Sequence, residues 1–227
     1  EVIYEVLNDI TKVEISKQDL TTGKELPGAH MVVKEKDGSI FDSWISTNEP
    51  YLIKGLEPNK TYELIETSSP YGFALAQKIE FTVKDTGEVQ KVEMKDDLVK
   101  GHLKWQKTGE AFTHTVTGQT EFGTTQSPVC EKQNLLNATI TIYAAEDITL
   151  GNGLTYWHKD DAIEALSSDW GAVTSMDLLV GKYYYVESSD LQGYVTDTQR
   201  HYCAIKDNQS TDIQVVESTL ENKRPSI

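Results

Sequence analysis

The sequence predicts an all-β protein of two tandem β-sandwiches, the second with long insertions. Three observations lead there. Thr, Val, Ile and Tyr are frequent, in short runs where apolar and polar residues alternate, as half-buried strands require. The runs recur about every 8–12 residues with turn signals between them, the rhythm of a sandwich. And the chain repeats itself over about a hundred residues, too long a period for a solenoid.

The first copy begins with a strand at Val13 to Lys17, followed by a polar turn at Thr21-Thr22-Gly23-Lys24. Leu26-Pro27-Gly28-Ala29 opens the next strand, His30 to Lys36, and Asp37-Gly38 is a hairpin turn. Strands follow at Ile40 to Ser46, Tyr51 to Lys54, Thr61 to Thr67, Gln77 to Lys84 and Val89 to Asp96. The boundary falls near Leu98 to Gly101, giving a first domain at 11–98 and a second at 99–227. Residues 1–10 read either as the last strand of a preceding repeat, with Asn8 at its end, or as a linker.

The second copy keeps the landmarks. His102 to Lys107 answers Lys12 to Lys17, Leu135-Leu136-Asn137-Ala138 answers Leu26 to Ala29, and Leu178 to Tyr183 answers Leu56 to Tyr62. Between them lie a long polar segment, Thr108 to Glu131, and a stretch from Ala145 to Asp177. Within the latter, Asp160 to Leu166 reads as a helical turn or an irregular strand. Long loops carry function more often than the scaffold does, so a partner-specific surface is expected in this copy.

The totals exclude several classes. The formal net charge is −15, with no cluster of Lys and Arg to track phosphates, so nucleic acid is not an expected partner. No apolar run approaches the roughly 20 residues of a membrane span, so no membrane insertion is expected. No signal-peptide or sorting pattern stands at either end, and the chain reads as a piece of something longer. No phosphate loop, metal spacing or nucleophile constellation is present, and no cofactor or metal is expected. His158, Asp160 and Asp161 could ligate a metal but read better as a solvated loop. Cys130 and Cys203 read either as one disulfide or as two unpaired thiols.

The chemistry sits at the strand ends. Side chains alternate across a strand, so residues of equal parity share a face. Lys17 shares its face with Val13 and Ile15, Glu66 with Tyr62 and Leu64, and Asp96 with Val92 and Met94. In the second copy Lys107 goes with Leu103 and Trp105, Glu187 with Tyr183 and Tyr185, and Asn222 with Val216, Ser218 and Leu220. Each copy therefore aims a Lys, a Glu and an Asp or Asn into its core. Such groups are either costly or reactive. Desolvation favours the neutral amine, which is nucleophilic, and the protonated carboxyl, which can polarise a carbonyl. The expected product is an amide from Lys Nζ to the Asp or Asn Cγ, with loss of water in the first copy and ammonia in the second. Each site would react once, so this is self-modification and not enzymatic turnover.

The patterns K-x-D, T-G-K-x-L-x-G-A, Y-x-L-x-E-T-x-x-P-x-G-F and V-x-M-x-D resemble the Cna protein B-type domains of Gram-positive surface proteins, which include SpaA-type isopeptide-forming pilins. The first copy fits over Lys12 to Asp97. The second fits at Glu131 to Asp147 and Tyr183 to Tyr194, though Asp19 has no counterpart after Lys107, and Asn137 and Leu191 replace a Gly and a Pro. The resemblance implies a prealbumin-like, Ig-like sandwich with crosslinks Lys17–Asp96 and Lys107–Asn222 and catalytic Glu66 and Glu187. It also implies a structural segment of a secreted, cell-wall-anchored surface protein or pilus subunit, whose partners are neighbouring domains or pilin subunits. An alternative is an adhesin module that binds a host or carbohydrate ligand through the second-domain insertions.

Overall fold

The computed structural model describes residues 9–168 and 171–225, and every described regular element is a strand. The expectation for residues 1–10, Asn8 included, falls almost wholly on residues 1–8, outside the described part. The chain forms two compact units. The first runs to Val99 and includes Thr149–Leu154 and Asp207–Asp212; the second holds Lys100–Ile148, Thr155–Lys206 and the chain from Ile213.

The first unit contains β1 (Lys12–Asp19), β2 (His30–Glu35), β3 (Ile40–Ile45), β4 (Tyr51–Lys54), β5 (Thr61–Ser68), β6 (Ile79–Thr82) and β7 (Val89–Asp96). They form two sheets, β4-β1-β7 and β3-β2-β5-β6. Between the sheets lies a core of Val13, Ile15, Met31, Val33, Ile53, Tyr62, Leu64, Phe81, Val92 and Met94. The expected parity holds: β5 and β7 bury every second residue. First and last strands pair in parallel, with Lys17 beside Met94 and Asp19 beside Asp96.

The second unit contains β8 (Lys100–Thr120), β9 (Gly123–Asn134), β10 (Thr139–Ala144), β11 (Ile148–Thr149), β12 (Thr155–Trp157), β13 (Ala162–Ser167), β14 (Val173–Thr174), β15 (Leu178–Leu179), β16 (Gly181–Glu187), β17 (His201–Ile205) and β18 (Gln214–Asn222). Thr149 of β11 is counted with the first unit. Two sheets form the sandwich, β13-β10-β16-β17 and one built on β8 with β14, β15, β18 and β9, while β11 and β12 make a separate two-stranded pair. Again first and last strands are parallel, with Leu220 beside Lys107 and Asn222 beside Gly109.

One loop expectation changes and one open alternative closes. Thr108 to Glu131 is a long antiparallel hairpin, in which β8 runs on to Thr120 and β9 returns from Gly123. Its strands lack the apolar alternation that would betray them, because most of the ribbon beyond Glu110 is exposed to water. Of the two readings of Asp160 to Leu166, the structure has the irregular strand: β13 begins at Ala162 and pairs with β10 through a register shift at Ile142 and Tyr143.

Candidate functional site

The landmark Leu26–Ala29 shows why the lysines stand where they do. Leu26 N donates to Lys17 O at 2.7 Å, and Leu135 N donates to Lys107 O at 3.0 Å. Ser46 Oγ then donates to Leu26 O at 2.6 Å, and Ser168 Oγ to Leu135 O at 2.9 Å. The same brace fixes both lysine strands. Gly28 has φ +92° and Asn137 φ +61°, so the turn needs a left-handed residue, and Asn is a tolerable replacement for Gly there.

In the first unit Lys17, Glu66 and Asp96 meet in the core, each at most 3% exposed. Lys17 Nζ donates to Asp96 Oδ1 and lies 3.2 Å from Glu66 Oε2. Ala76 N also donates to Glu66 Oε2, at 2.7 Å. Glu66 Oε1 and Asp96 Oδ2 are left without a donor if both carboxyls are ionised. A proton on this pair supplies one. Burial pushes Asp96 up to about 7; Lys17 opposes the shift and Glu66 adds to it. A neutral acid beside an amine is the arrangement that amide formation needs.

In the second unit Lys107, Glu187 and Asn222 meet with equal burial. Lys107 Nζ is 2.6 Å from Asn222 Oδ1 and 3.0 Å from Glu187 Oε1. Asn222 Nδ2 donates to the same Glu187 Oε1 at 2.9 Å. Burial lowers the lysine's pKa, with Glu187 working the other way. One carboxylate oxygen thus touches both the lysine nitrogen and the carboxamide nitrogen.

Two contributors carry no motif. The amides of Ala76 and Asp197 hold Glu66 Oε2 and Glu187 Oε2, at 2.7 and 2.8 Å. Each follows its glutamate by the same spacing, which was the only available sequence signal. The counterpart of Asp19 is Gly109, paired with Asn222 as Asp19 is with Asp96. A Cβ there would lie 2.6 Å from Leu135 Cδ1 and 3.0 Å from Tyr194 Cε1, so the position is crowded.

Cys130 and Cys203 are both free thiols. They stand on β9 and β17, which belong to different sheets of the second unit. Burial pushes the Cys203 thiol up to about 11, which keeps it protonated. Among the described residues no His, Cys, Asp and Glu group is placed to hold a metal: Asp161 caps His158 N, and Asp160 accepts from Tyr184 and Arg200. No helix among them is long and apolar enough to cross a membrane.

Paired first and last strands, a two-sheet core and an interior Lys–Glu–Asp/Asn triad, given twice, define tandem prealbumin-like sandwich domains. The chain belongs to the SpaA prealbumin-like fold family, which matches residues 11–98 and again 129–219. Among solved structures it is similar to the Bacillus anthracis TIE protein, at 22% identity and TM-score 0.63, over 94% of this chain and 34% of that one. It spans, then, about a third of that protein, and the likeness is one of fold. The shaft pilin SpaA from Lactobacillus rhamnosus GG matches at 11% identity and TM-score 0.37, over 96% and 99% of the two chains. BcpA, the major pilin subunit of Bacillus cereus, matches at 14% and 0.37, over 95% and 100%. No curated protein sequence matches the chain.

Proposed function

We propose that this chain is a load-bearing segment of a secreted, cell-wall-anchored Gram-positive surface protein or pilus subunit, made of domains at 11–98 and 99–227. Each domain is closed by an autocatalytic isopeptide bond, Lys17–Asp96 and Lys107–Asn222. The observation that carries the reading is the second triad, where an amine, a carboxamide and a shared carboxylate oxygen lie within 3.0 Å of one another in a buried core. Family membership supports the setting.

The chemistry follows from the contacts. In the first domain Lys17 yields a proton to Glu66, and the free amine attacks Asp96 Cγ. Glu66 returns the proton to the departing hydroxyl, the C–O bond breaks and water leaves, while the second proton released by the amine as the amide forms stays on Glu66. In the second domain Glu187 takes a proton from Lys107 and passes it to Nδ2 of Asn222. The C–N bond breaks and ammonia leaves. Of the three ammonium protons, one stays on the new amide and one reaches the leaving nitrogen. The third is left on Glu187 and departs with the ammonia as ammonium. Folding supplies the proximity, and the preset carboxyl supplies the proton transfers. Each domain reacts once.

Intact mass tests the reading. The folded chain should weigh about 35 Da less than its sequence, the sum of one water and one ammonia. Glu66→Ala should restore the water and Glu187→Ala the ammonia. A full sequence mass in folded protein would overturn it.

One observation favours a second role, as an adhesin module. The β8–β9 hairpin presents Phe112, Val116 and Phe122, the last 92% exposed near its tip. Loss of binding to a host or carbohydrate surface on removal of the hairpin tip, with both bonds intact, would establish it.

A further inference from the structure

Both catalytic glutamates are held from behind by a backbone amide on the loop that follows their strand, yet the two loops are fastened in different ways. In the first unit the loop is anchored by burial. Pro70, Phe73 and Ala74 are buried, and Ser69 Oγ donates to Phe73 O at 2.7 Å. Phe73 bridges to Leu98, and Ala74 N donates to Asp97 O at 2.9 Å. Ala76 N therefore reaches Glu66 from a packed loop.

The second-unit loop keeps the counterpart of that backbone bond, with Val195 N donating to Lys223 O at 2.9 Å, but it lacks the burial. From Ser188 to Thr198 none of its residues is buried, and Val195 is 53% exposed. Its amide donor to Glu187 belongs to Asp197, and Asp197 is held by polar contacts. Gln199 N donates to Asp197 Oδ1 at 2.9 Å. His201 Nε2 lies 3.0 Å from Asp197 Oδ2; a carboxylate only accepts, so Nε2 carries the proton. The imidazole is set in turn by stacking on Tyr185, with centroids 5.2 Å apart at 20°. Tyr185 lies on the same strand as Glu187. The latch thus starts and ends on β16.

We infer that Asp197, clasped by His201, is the positioning residue for Glu187, and that the second crosslink depends on this latch where the first depends on a packed loop. The inference rests on the isopeptide reading above. Glu187 must present one oxygen to two nitrogens at once, and a carboxyl free to rotate would meet that geometry only part of the time.

The test uses the full chain, made in a cell-free reaction, quenched in acidic denaturant at timed intervals and weighed. Peptide mapping assigns each bond to its domain. His201→Phe keeps a ring against Tyr185 but removes the donor, and should slow ammonia loss on the order of tenfold. The first domain, losing water at its usual rate, is the internal control. His201→Gln, which restores an amide donor, should recover the rate. Asp197→Ala against Asp197→Asn makes the same comparison independently, should either His201 variant fail to fold. Unchanged ammonia loss in His201→Phe or Asp197→Ala would overturn the inference while leaving the isopeptide reading standing, and equal slowing in both domains would also overturn it. Absence of ammonia loss from the unsubstituted chain would instead remove the reading itself.

Discussion

Lys107 Nζ and Asn222 Oδ1 are 2.6 Å apart, although their residues lie 115 positions apart in the chain. They come from parallel neighbours, β8 and β18, the first and last strands of their sandwich. Lys17 and Asp96 repeat the relation on β1 and β7. In both pairs the acceptor residue stands in register two residues beyond the lysine, opposite Asp19 or Gly109. A covalent bond at this point would join the two ends of a domain, so tension applied through its termini would be carried by the crosslink and not by the ladder of hydrogen bonds.

Blocking either bond should therefore cost much stability. Closing a loop of about a hundred residues removes denatured-state entropy worth about 4–5 kcal/mol by the chain-entropy argument. Glu187→Gln should forfeit this, and the second domain should melt lower by on the order of 15 °C or more. Calorimetry of the full chain should show that transition moving while the first domain's stays. Reductant should move neither, since both thiols are free.

The two sites should differ in pH dependence. Asp96 is raised to about 7, chiefly by burial. Below that value the Lys17–Glu66–Asp96 cluster holds the proton that lets a carboxyl and a neutral amine coexist. As pH rises through about 7 the proton is lost, leaving an ammonium between two carboxylates, from which amide formation cannot start. Closure of the first domain should slow about tenfold per pH unit above this point. Asn222 has no proton to lose, so the second domain should keep its rate. Timed quenching and mass measurement from pH 6 to about 9 would check this; parallel profiles would exclude the assignment of the proton.

Much of this was legible because burial in a strand is periodic. Tyr62, Leu64 and Glu66 had to share a face, and the structure gathers the six parity-chosen residues into two clusters. Lys104, of the opposite parity to Lys107, pairs with Glu217 in solvent. The hairpin was not legible as strand, since a ribbon wetted on both faces needs no alternation. Nor was the role of Asp197 or Ala76, because a backbone amide acts through its position and leaves no residue type to read.

A local substitution tests the brace that sets the lysines. At φ +92° a residue with a Cβ is strained, and Gly28→Ala should destabilise the first domain by about 1 kcal/mol. Asn137→Gly, at φ +61°, should be neutral or mildly stabilising. Denaturant midpoints give both signs. Equal effects at the two positions would mean that the turns are not equivalent.

The hairpin should be dispensable for the crosslink. Leu135 N returns to Lys107 O, so the chain between them leaves the sandwich and comes back to its starting point. The pairing of β8 with β18 ends at Gly109, and Glu110 O still accepts from Tyr194 and Arg224. A deletion beginning at Thr108 would cut into that pairing. Ala111 and Glu131 are cross-strand partners, so an Asn-Gly turn can join them and keep everything the site uses. The trimmed chain should still lose about 17 Da from its second domain as ammonia and melt within a few degrees of the intact one. If the ammonia loss disappeared in a chain that still folds, the hairpin would belong to the reactive site and not to a separate surface.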